Sequence, residues 1–571
     1  IRVSDSAALW ADPAWAPDGN SIVALRAPLG SALASSGPGQ GAVPPDAEVV
    51  VVPSEGGTPR RLMAADGGRR PHFGPSSDRV YLAGPTLISV ALDGSDRRLE
   101  ARLGPDGGRG ELRLSPDGAH VMAIGGPATQ LFETPPQGLD GGELTSPVPM
   151  AVSADRPGLV AWSGDGGSVS AIAGVRLQTL RVATPTAAPS VTQLDVSLPR
   201  AIPAGAVVLR GATVVTMNGY EVVENADVVV EGNRILGVGP TGSIDVPAGA
   251  TELDMSGKYV VPGFIDVHAH FTASGELPEP ESTVSFANLA YGITTLRNPQ
   301  SSPDIFGLSD LIAVDGVPAP RVFSTGPGLF SQGTFTSPDE ARRVIEPYRD
   351  GFGTHLLKWY MAGPRGERQA LIQAARELEM MPTTEGGADT KADLTYAIDG
   401  FSGLEHAFPV APIHDDLVQL VARTGITYTP TLVVAFGGAL PVYRLLAEER
   451  PHENAKLSRW FADGSLYARS SSRVLWFPPE DYNDQEVAAG ADAILGAGGR
   501  VAMGGHGEAQ GLSNHWEMGL LARGGISNHD VLRVATLFGA EAIGYAQDLG
   551  SVEPGKLADL VVLDRNPLEN I

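Results

Sequence analysis

There is no cysteine anywhere in the 571 residues. That excludes disulfides and thiolate metal ligands, and leaves His, Asp, Glu and a modified Lys as the side chains able to hold a cation. No stretch of about 18 consecutive apolar residues occurs, so nothing reads as a membrane-spanning helix and no membrane insertion is expected. Positive charge is scarce: 41 Lys and Arg stand against 66 Asp and Glu, a formal net charge of −25. Such a chain repels a phosphate backbone, and no basic run with interleaved aromatics offsets this locally, so nucleic acid is not an expected partner. Lysine is rarer still, limited to Lys258, Lys358, Lys391, Lys456 and Lys556, which makes each one informative. The chain opens at Ile1 with no basic segment leading into an apolar run. The expectation is an exported mature protein whose targeting peptide has been removed.

What is present divides by pattern, and the length allows several domains at roughly 150 residues each. Residues 1–200 repeat a turn feeding a short apolar run. The turns are Pro13-Ala14-Trp15-Ala16-Pro17-Asp18-Gly19, Phe73-Gly74-Pro75-Ser76-Ser77-Asp78, Leu114-Ser115-Pro116-Asp117-Gly118 and Trp162-Ser163-Gly164-Asp165-Gly166. Runs such as Ser21-Ile22-Val23-Ala24-Leu25 and His120-Val121-Met122-Ala123-Ile124 follow them. A Pro-Asp-Gly turn before a short apolar strand is a hairpin signal, and its recurrence predicts propeller-like blades, with a plain β-sandwich as the other architecture. The unit resembles the TolB-type propeller repeat. Nothing in it marks a catalytic group.

From Ala204 the pattern changes to strands at Ala206–Leu209, Ala212–Val215 and Asp227–Val230, and the closing run Gly555 to Asp564 reads as a strand of the same small sheet. Residues 204–262 and 548–571 are therefore expected to form a small β-sandwich bracketing a long insertion. Within that insertion, residues 263–547, short apolar strands alternate with amphipathic stretches such as Glu367 to Glu379. Alternation of this kind predicts a parallel sheet, and the length suits a (β/α)₈ TIM-type barrel.

The run Val260-Val261-Pro262-Gly263-Phe264-Ile265-Asp266-Val267-His268-Ala269-His270 is an apolar strand ending in two histidines two residues apart. Residues i and i+2 of a strand share a face, so both imidazoles can reach one cation at the strand's carboxyl end, where barrel active sites lie. A pair of buried structural histidines is the alternative.

The P-G-F-I-D-x-H-x-H run, the flanking small sheet and the closing Gly555-Lys556-Leu557-Ala558-Asp559-Leu560-Val561-Val562-Leu563-Asp564 resemble the amidohydrolase superfamily, in particular its imidazolonepropionase-like and Xaa-Pro-dipeptidase-like branch. The resemblance covers roughly Ala204 to Ile571. It implies a distorted barrel with one or two divalent metals at its mouth, Zn²⁺ being the expected ion. Lys358, in His355-Leu356-Leu357-Lys358-Trp359-Tyr360, occupies the place of the family's strand-four lysine, which is commonly carboxylated and bridges two metals. His406 keeps the strand-six histidine. Glu385 stands where the wider family has a metal-binding histidine on strand five, and His506 stands where it has a strand-eight aspartate. These two departures look like an exchange of a carboxylate for an imidazole across the barrel mouth, which preserves the anionic charge set against the cations.

The implied metal ligands are thus His268, His270, carboxylated Lys358, Glu385 and His406, with His506 nearby. The exchange leaves the general base open among Glu385, His506 and Glu508. Glu385 is favoured, His506 is second, as terminal ligand or as the acid for the leaving amine, and Glu508 can equally be a solvated loop carboxylate. Tyr360 shares a strand face with Lys358, so its hydroxyl can polarise a carbonyl. TolB-fused members of the superfamily carry runs similar to Glu385-Gly386-Gly387, His506-Gly507-Glu508, Pro364-Arg365-Gly366-Glu367-Arg368-Gln369 and His515-Trp516-Glu517. His72, His120, His414, His452 and His529 fall outside the strand-end pattern and read as ordinary.

The reading is a hydrolase of an amide-type C–N bond in a small, cyclic or peptide-like molecule, using a metal-activated water; a homo-oligomer is compatible with it. An ester or lactone hydrolase, or a lyase or cyclase on the same centre, is the alternative among enzymes. A propeller-based binding protein with a silent barrel is the alternative outside them. The long segment from Phe436 to Asn483 is expected to wall the pocket.

Overall fold

The computed structural model describes residues 8–28, 46–104, 110–124, 129–135, 138–152, 159–194, 196–271, 282–330, 336–360, 362–387, 389–460 and 477–571. The chain forms two compact units, Ile1–Ser197 and Leu198–Ile571. The segment from Phe436 to Asn483 falls partly outside the described residues, at 461–476.

The first unit is all β. Its strands form four sheets, beginning at Ala8–Trp15, Arg69–Phe73, Glu111–Leu114 and Val160–Trp162, and pair in sequence order except that Glu143–Leu144 returns to lie parallel to Arg98–Leu103 in the second sheet. Each recurrent turn joins the first two strands of one sheet, and its aspartate makes the bend. Asp18, Asp117 and Asp165 each accept a backbone N–H two residues on, at 3.0 Å, from Asn20, Ala119 and Gly167. Gly19, Gly118 and Gly166 supply the left-handed φ of 72 to 74° that the turn needs. Apolar residues of the second and third strands, among them Val23, Leu25, Val49 and Val51, bury against Phe73, Val80 and Leu82.

The second unit opens with a sheet in the order Arg234–Pro240, Val222–Glu231, Ala206–Val215, Tyr259–Pro262, Leu560–Leu563, with Thr251–Asp254 also paired to Ala206–Val215. The C-terminal strand runs antiparallel to Tyr259–Pro262, placing Val562 opposite Val260. The two strands expected at Ala206–Leu209 and Ala212–Val215 are one. Gly211, at φ 70°, absorbs a register slip between Leu209 and Ala212, so a bulge in the strand reads in the sequence as a break.

Between these strands lies a TIM-type barrel. Phe264–Asp266, Ile293–Asn298 and Arg321–Ser324 are its first three parallel strands. Leu356–Tyr360, Met381–Glu385, Gly403–Glu405, Thr427–Thr429 and Arg500–Val501 are strands four to eight, with the short Leu329–Phe330 beside strand four. The ring closes where Val267 N–H donates to Met503 O at 2.9 Å. Helix Arg365–Glu377 buries Ala370, Leu371, Ala374 and Ala375 against the strands. It ends earlier than its amphipathic pattern suggests, because Glu379 takes a left-handed φ of 55°. Among the described residues no helix is long and apolar enough to cross a membrane.

Candidate metal centre

The carboxyl ends of the barrel strands bring together residues that lie far apart in sequence. His268 and His270 follow strand one, with ring centroids 5.1 Å apart. His406 follows strand six and lies 4.7 Å from His268. His506 follows strand eight, stacked on His268 at 5.3 Å and 4.7 Å from His270. One ligand atom each from His268, His270 and His506 lies within 4.8 Å of the others.

Two of these histidines depend on unusual backbone. His406 and His506 have φ of 71° and 60°. Strand alternation would turn His406 away from the face that Glu405 occupies, and the left-handed turn returns it to the centre. Histidine tolerates this conformation better than most residues, but it remains uncommon and points to a site that holds it there. The His506 turn is fastened by its own N–H donating to His268 O at 2.9 Å, and by Gly505 N–H donating to Asp266 Oδ1 at 3.1 Å.

Lys358 and Glu385 come from neighbouring strands four and five. Lys358 is fully buried, and its Nζ lies 2.6 Å from Glu385 Oε2, in ion-pair contact without hydrogen-bond alignment. Glu385 Oε1 lies 3.0 Å from His406 Nε2. Burial alone would raise the Glu385 carboxyl, but the Lys358 ammonium and His406 outweigh it and hold Glu385 well below the usual carboxylate range. Tyr360 presents its ring to Lys358 Nζ at 4.9 Å from the centroid, and burial pushes its phenol up. Glu508 is not a solvated loop carboxylate: it is buried, with Oε1 3.3 Å from His506 Nδ1.

The rings are suited to bind a cation rather than to carry charge. Burial lowers His268, His270 and His406, with neighbouring basic groups adding to the effect at the first two, and His270 falls to about 3. Neutral imidazole is the ligating form. His268 Nε2 is buried with no hydrogen-bond partner, an expensive condition for a polar atom unless something occupies the space it faces. Three nitrogen donors in one cluster fit a site for a divalent metal ion.

Two functional residues escaped the sequence reading. Glu405 Oε2 lies 2.7 Å from His268 Nδ1, and its Oε1 accepts from Arg297 Nη2 at 2.5 Å. Arg297 also donates from Nε to Val267 O at 2.6 Å. Glu405 keeps the proton of His268 on Nδ1 and its lone pair on the partnerless Nε2, the orientation a metal ligand needs. The available signal is Arg297, the one charged residue of the strand Ile293–Asn298.

Other quoted motifs fall away from the centre. Arg365 and Arg368 each place Nε 2.8 Å from Asp399 and tie two helices together. His515 Nε2 lies 2.8 Å from Tyr291 O, so that ring serves packing.

The Amidohydrolase family matches residues 259–571, more than half of the chain. Over 396 residues the chain is 25% identical to a 5-methylthioadenosine/S-adenosylhomocysteine deaminase of Pelotomaculum thermopropionicum, an alignment covering 63% of this chain and 84% of that protein. It is likewise 25% identical over 381 residues to adenine deaminase 3 of Rhizobium meliloti, covering 65% of this chain and only 56% of the deaminase. Among solved structures, a Xaa-Pro dipeptidase with bound methionine in the active site aligns at a TM-score of 0.48 and 17% identity, covering 64% of this chain and 95% of the dipeptidase.

Proposed function

Because the chain belongs to the amidohydrolase family and is a hydrolase acting on C–N bonds, we propose that it cleaves an amide-type bond in a small or peptide-like molecule at the barrel mouth. The observation that carries this reading is the buried, partnerless His268 Nε2 inside a ring of four imidazoles. In this reading His268, His270 and His506 hold one divalent cation, Zn²⁺, and a carboxylated Lys358 with Glu385 and His406 completes the centre for a second. A cation there supplies Lewis acidity, polarising the scissile carbonyl and acidifying water.

The chain's own residues do the rest. Glu385, whose Oε1 lies 3.0 Å from His406 Nε2, takes the proton from the attacking water and returns it to the departing nitrogen. Tyr360, whose phenol burial keeps protonated, donates to the carbonyl oxygen. The Lys358 ammonium and a Lys358 carbamate are alternative occupants of one place: beside Glu385 the carbamate would add a second anion, whose charge bound cations would offset. The four sheets of the first unit support a propeller-like reading of residues 1–200, and the strand pairing of 204–262 with 548–571 supports one small β domain built from both segments.

Metal analysis of the purified protein, with a screen of amides, dipeptides, esters and lactones, tests this reading. A metal-free protein inert to every amide would sink it. The two deaminase relatives favour a second reading, hydrolytic deamination of an aminopurine; ammonia release from such a substrate, with no amide turned over, would select it.

A further inference from the structure

The proposed chemistry uses no member of the His515-Trp516-Glu517 run, and of the three Glu517 has the most unusual placement. It lies in helix Leu512–Arg523 with no exposure to solvent. A buried carboxyl group needs partners, and both of its oxygens have one: Oε1 accepts from Leu432 N–H at 2.8 Å and Oε2 from Val433 N–H at 3.0 Å. These two amides open the 3₁₀ turn Leu432–Val434.

The residue before that turn is Thr431, which makes no side-chain cap of its own. It is β-branched yet sits at φ 46°, ψ 58°, in the left-handed region such residues rarely enter, and the surrounding structure must impose that conformation. Its Oγ1 lies 2.7 Å from His406 Nδ1. A carboxyl group on the helix after strand eight therefore fastens the loop after strand seven, and the loop's first hydroxyl meets the histidine after strand six.

We propose that Glu517 is a positioning residue for His406, acting through Thr431: by capping the Leu432–Val434 turn it holds Thr431 in its left-handed conformation, with the hydroxyl against His406 Nδ1 and Nε2 aimed at Glu385. The inference rests on the assignment of His406 to the metal centre made above. Glutamine at position 517 keeps the size but offers one amide N–H a donor in place of an acceptor. Valine at 431 keeps the shape and removes the hydroxyl.

Wild type, E517Q, T431V and the double variant are compared by Zn²⁺ titration against a chelating indicator, and by imidazole ¹⁵N spectra of His406 in the metal-free protein. E517Q and T431V should each weaken Zn²⁺ binding roughly tenfold or more. Both should move the His406 ring resonances, and T431S should keep them. The double variant should bind no more weakly than the weaker single, since the two residues act in series. Unmoved His406 resonances in E517Q, or additive losses in the double variant, overturn the proposal, whatever happens to the melting temperature. If E517Q does not fold, E517D takes its place with the same outcomes. If wild type takes up no Zn²⁺, the metal reading fails, while the metal-free spectra still judge Glu517.

Discussion

Glu405 and Arg297 form a wholly buried ion pair, Nη2 to Oε1 at 2.5 Å, and the other carboxylate oxygen of Glu405 faces His268. One carboxylate thus satisfies a buried cation and orients the central imidazole. Burial alone would raise the Glu405 carboxyl, but Arg297 and Lys358 outweigh it and keep it anionic.

Replacing Glu405 by Ala strands the Arg297 guanidinium without its ion partner and should cost about 3–5 kcal/mol, read from urea unfolding of the second unit. Replacing it by Gln retains an acceptor for His268 at lower charge. Zn²⁺ affinity should then fall roughly 10- to 100-fold with a much smaller loss of stability. Equal effects of the two variants on metal affinity would refute the orienting role.

Much of this arrangement can be read before any coordinates. His268 and His270 announce themselves by strand spacing, and Lys358 by being one of five lysines and lying within an apolar strand. Arg297 and Glu405 are hidden because their meaning is mutual: each is the one charged residue of a short strand, and only the barrel places strand two's charge against strand six's. For Glu508 the sequence leaves base and solvated carboxylate both open, because a loop position says nothing about what folds over it; the structure buries it. Gly211 shows the converse error, where a glycine that bends one strand imitates a boundary between two.

Lys358 gives the most direct test of the proposed centre. Removing its side chain leaves Glu385 with His406 as its remaining close partner. Loss of a ligand should cost more than loss of a residue that merely orients one, so K358A should lower turnover roughly 100-fold or more. Bound metal should fall with it, and a carbamate ¹³C resonance obtained with labelled bicarbonate should vanish. Wild-type metal content and turnover in K358A would end the bridging assignment.

Gly504 lies just past strand eight, packed against His268. A Cβ there would lie 2.8 Å from His268 Cβ and 2.8 Å from Thr429 Cγ2. Neither is the end of a flexible side chain, so the backbone must give. G504A should destabilise the second unit by about 1–3 kcal/mol and weaken Zn²⁺ binding by displacing His268. Retained affinity together with retained stability would show that the strand ends are looser than their packing indicates.

The first unit offers a pH test independent of any metal. His72 Nε2 accepts from Leu114 N–H at 3.2 Å, while Nδ1 lies 3.0 Å from Arg70 O and donates to it. That pattern requires the neutral ring. Burial, against the opposing pull of the Arg70 carbonyl, pushes His72 down from 6.5 to about 4. Between those values the unfolded chain binds the proton and the folded one does not. Stability contributed by the neutral ring is therefore complete above pH 6.5, is lost as pH falls towards 4, and changes no further below. The loss should reach no more than about 3 kcal/mol, since the ring is partly exposed. Carboxylates also titrate near the lower edge of this window, so the measurement is the difference between wild type and H72Q in urea unfolding of the first unit at pH 7, 5.5 and 4.5. Glutamine can supply one donor and one acceptor without titrating, and H72Q should lose less stability over this range. Parallel pH dependence in the two proteins would remove His72 as its source.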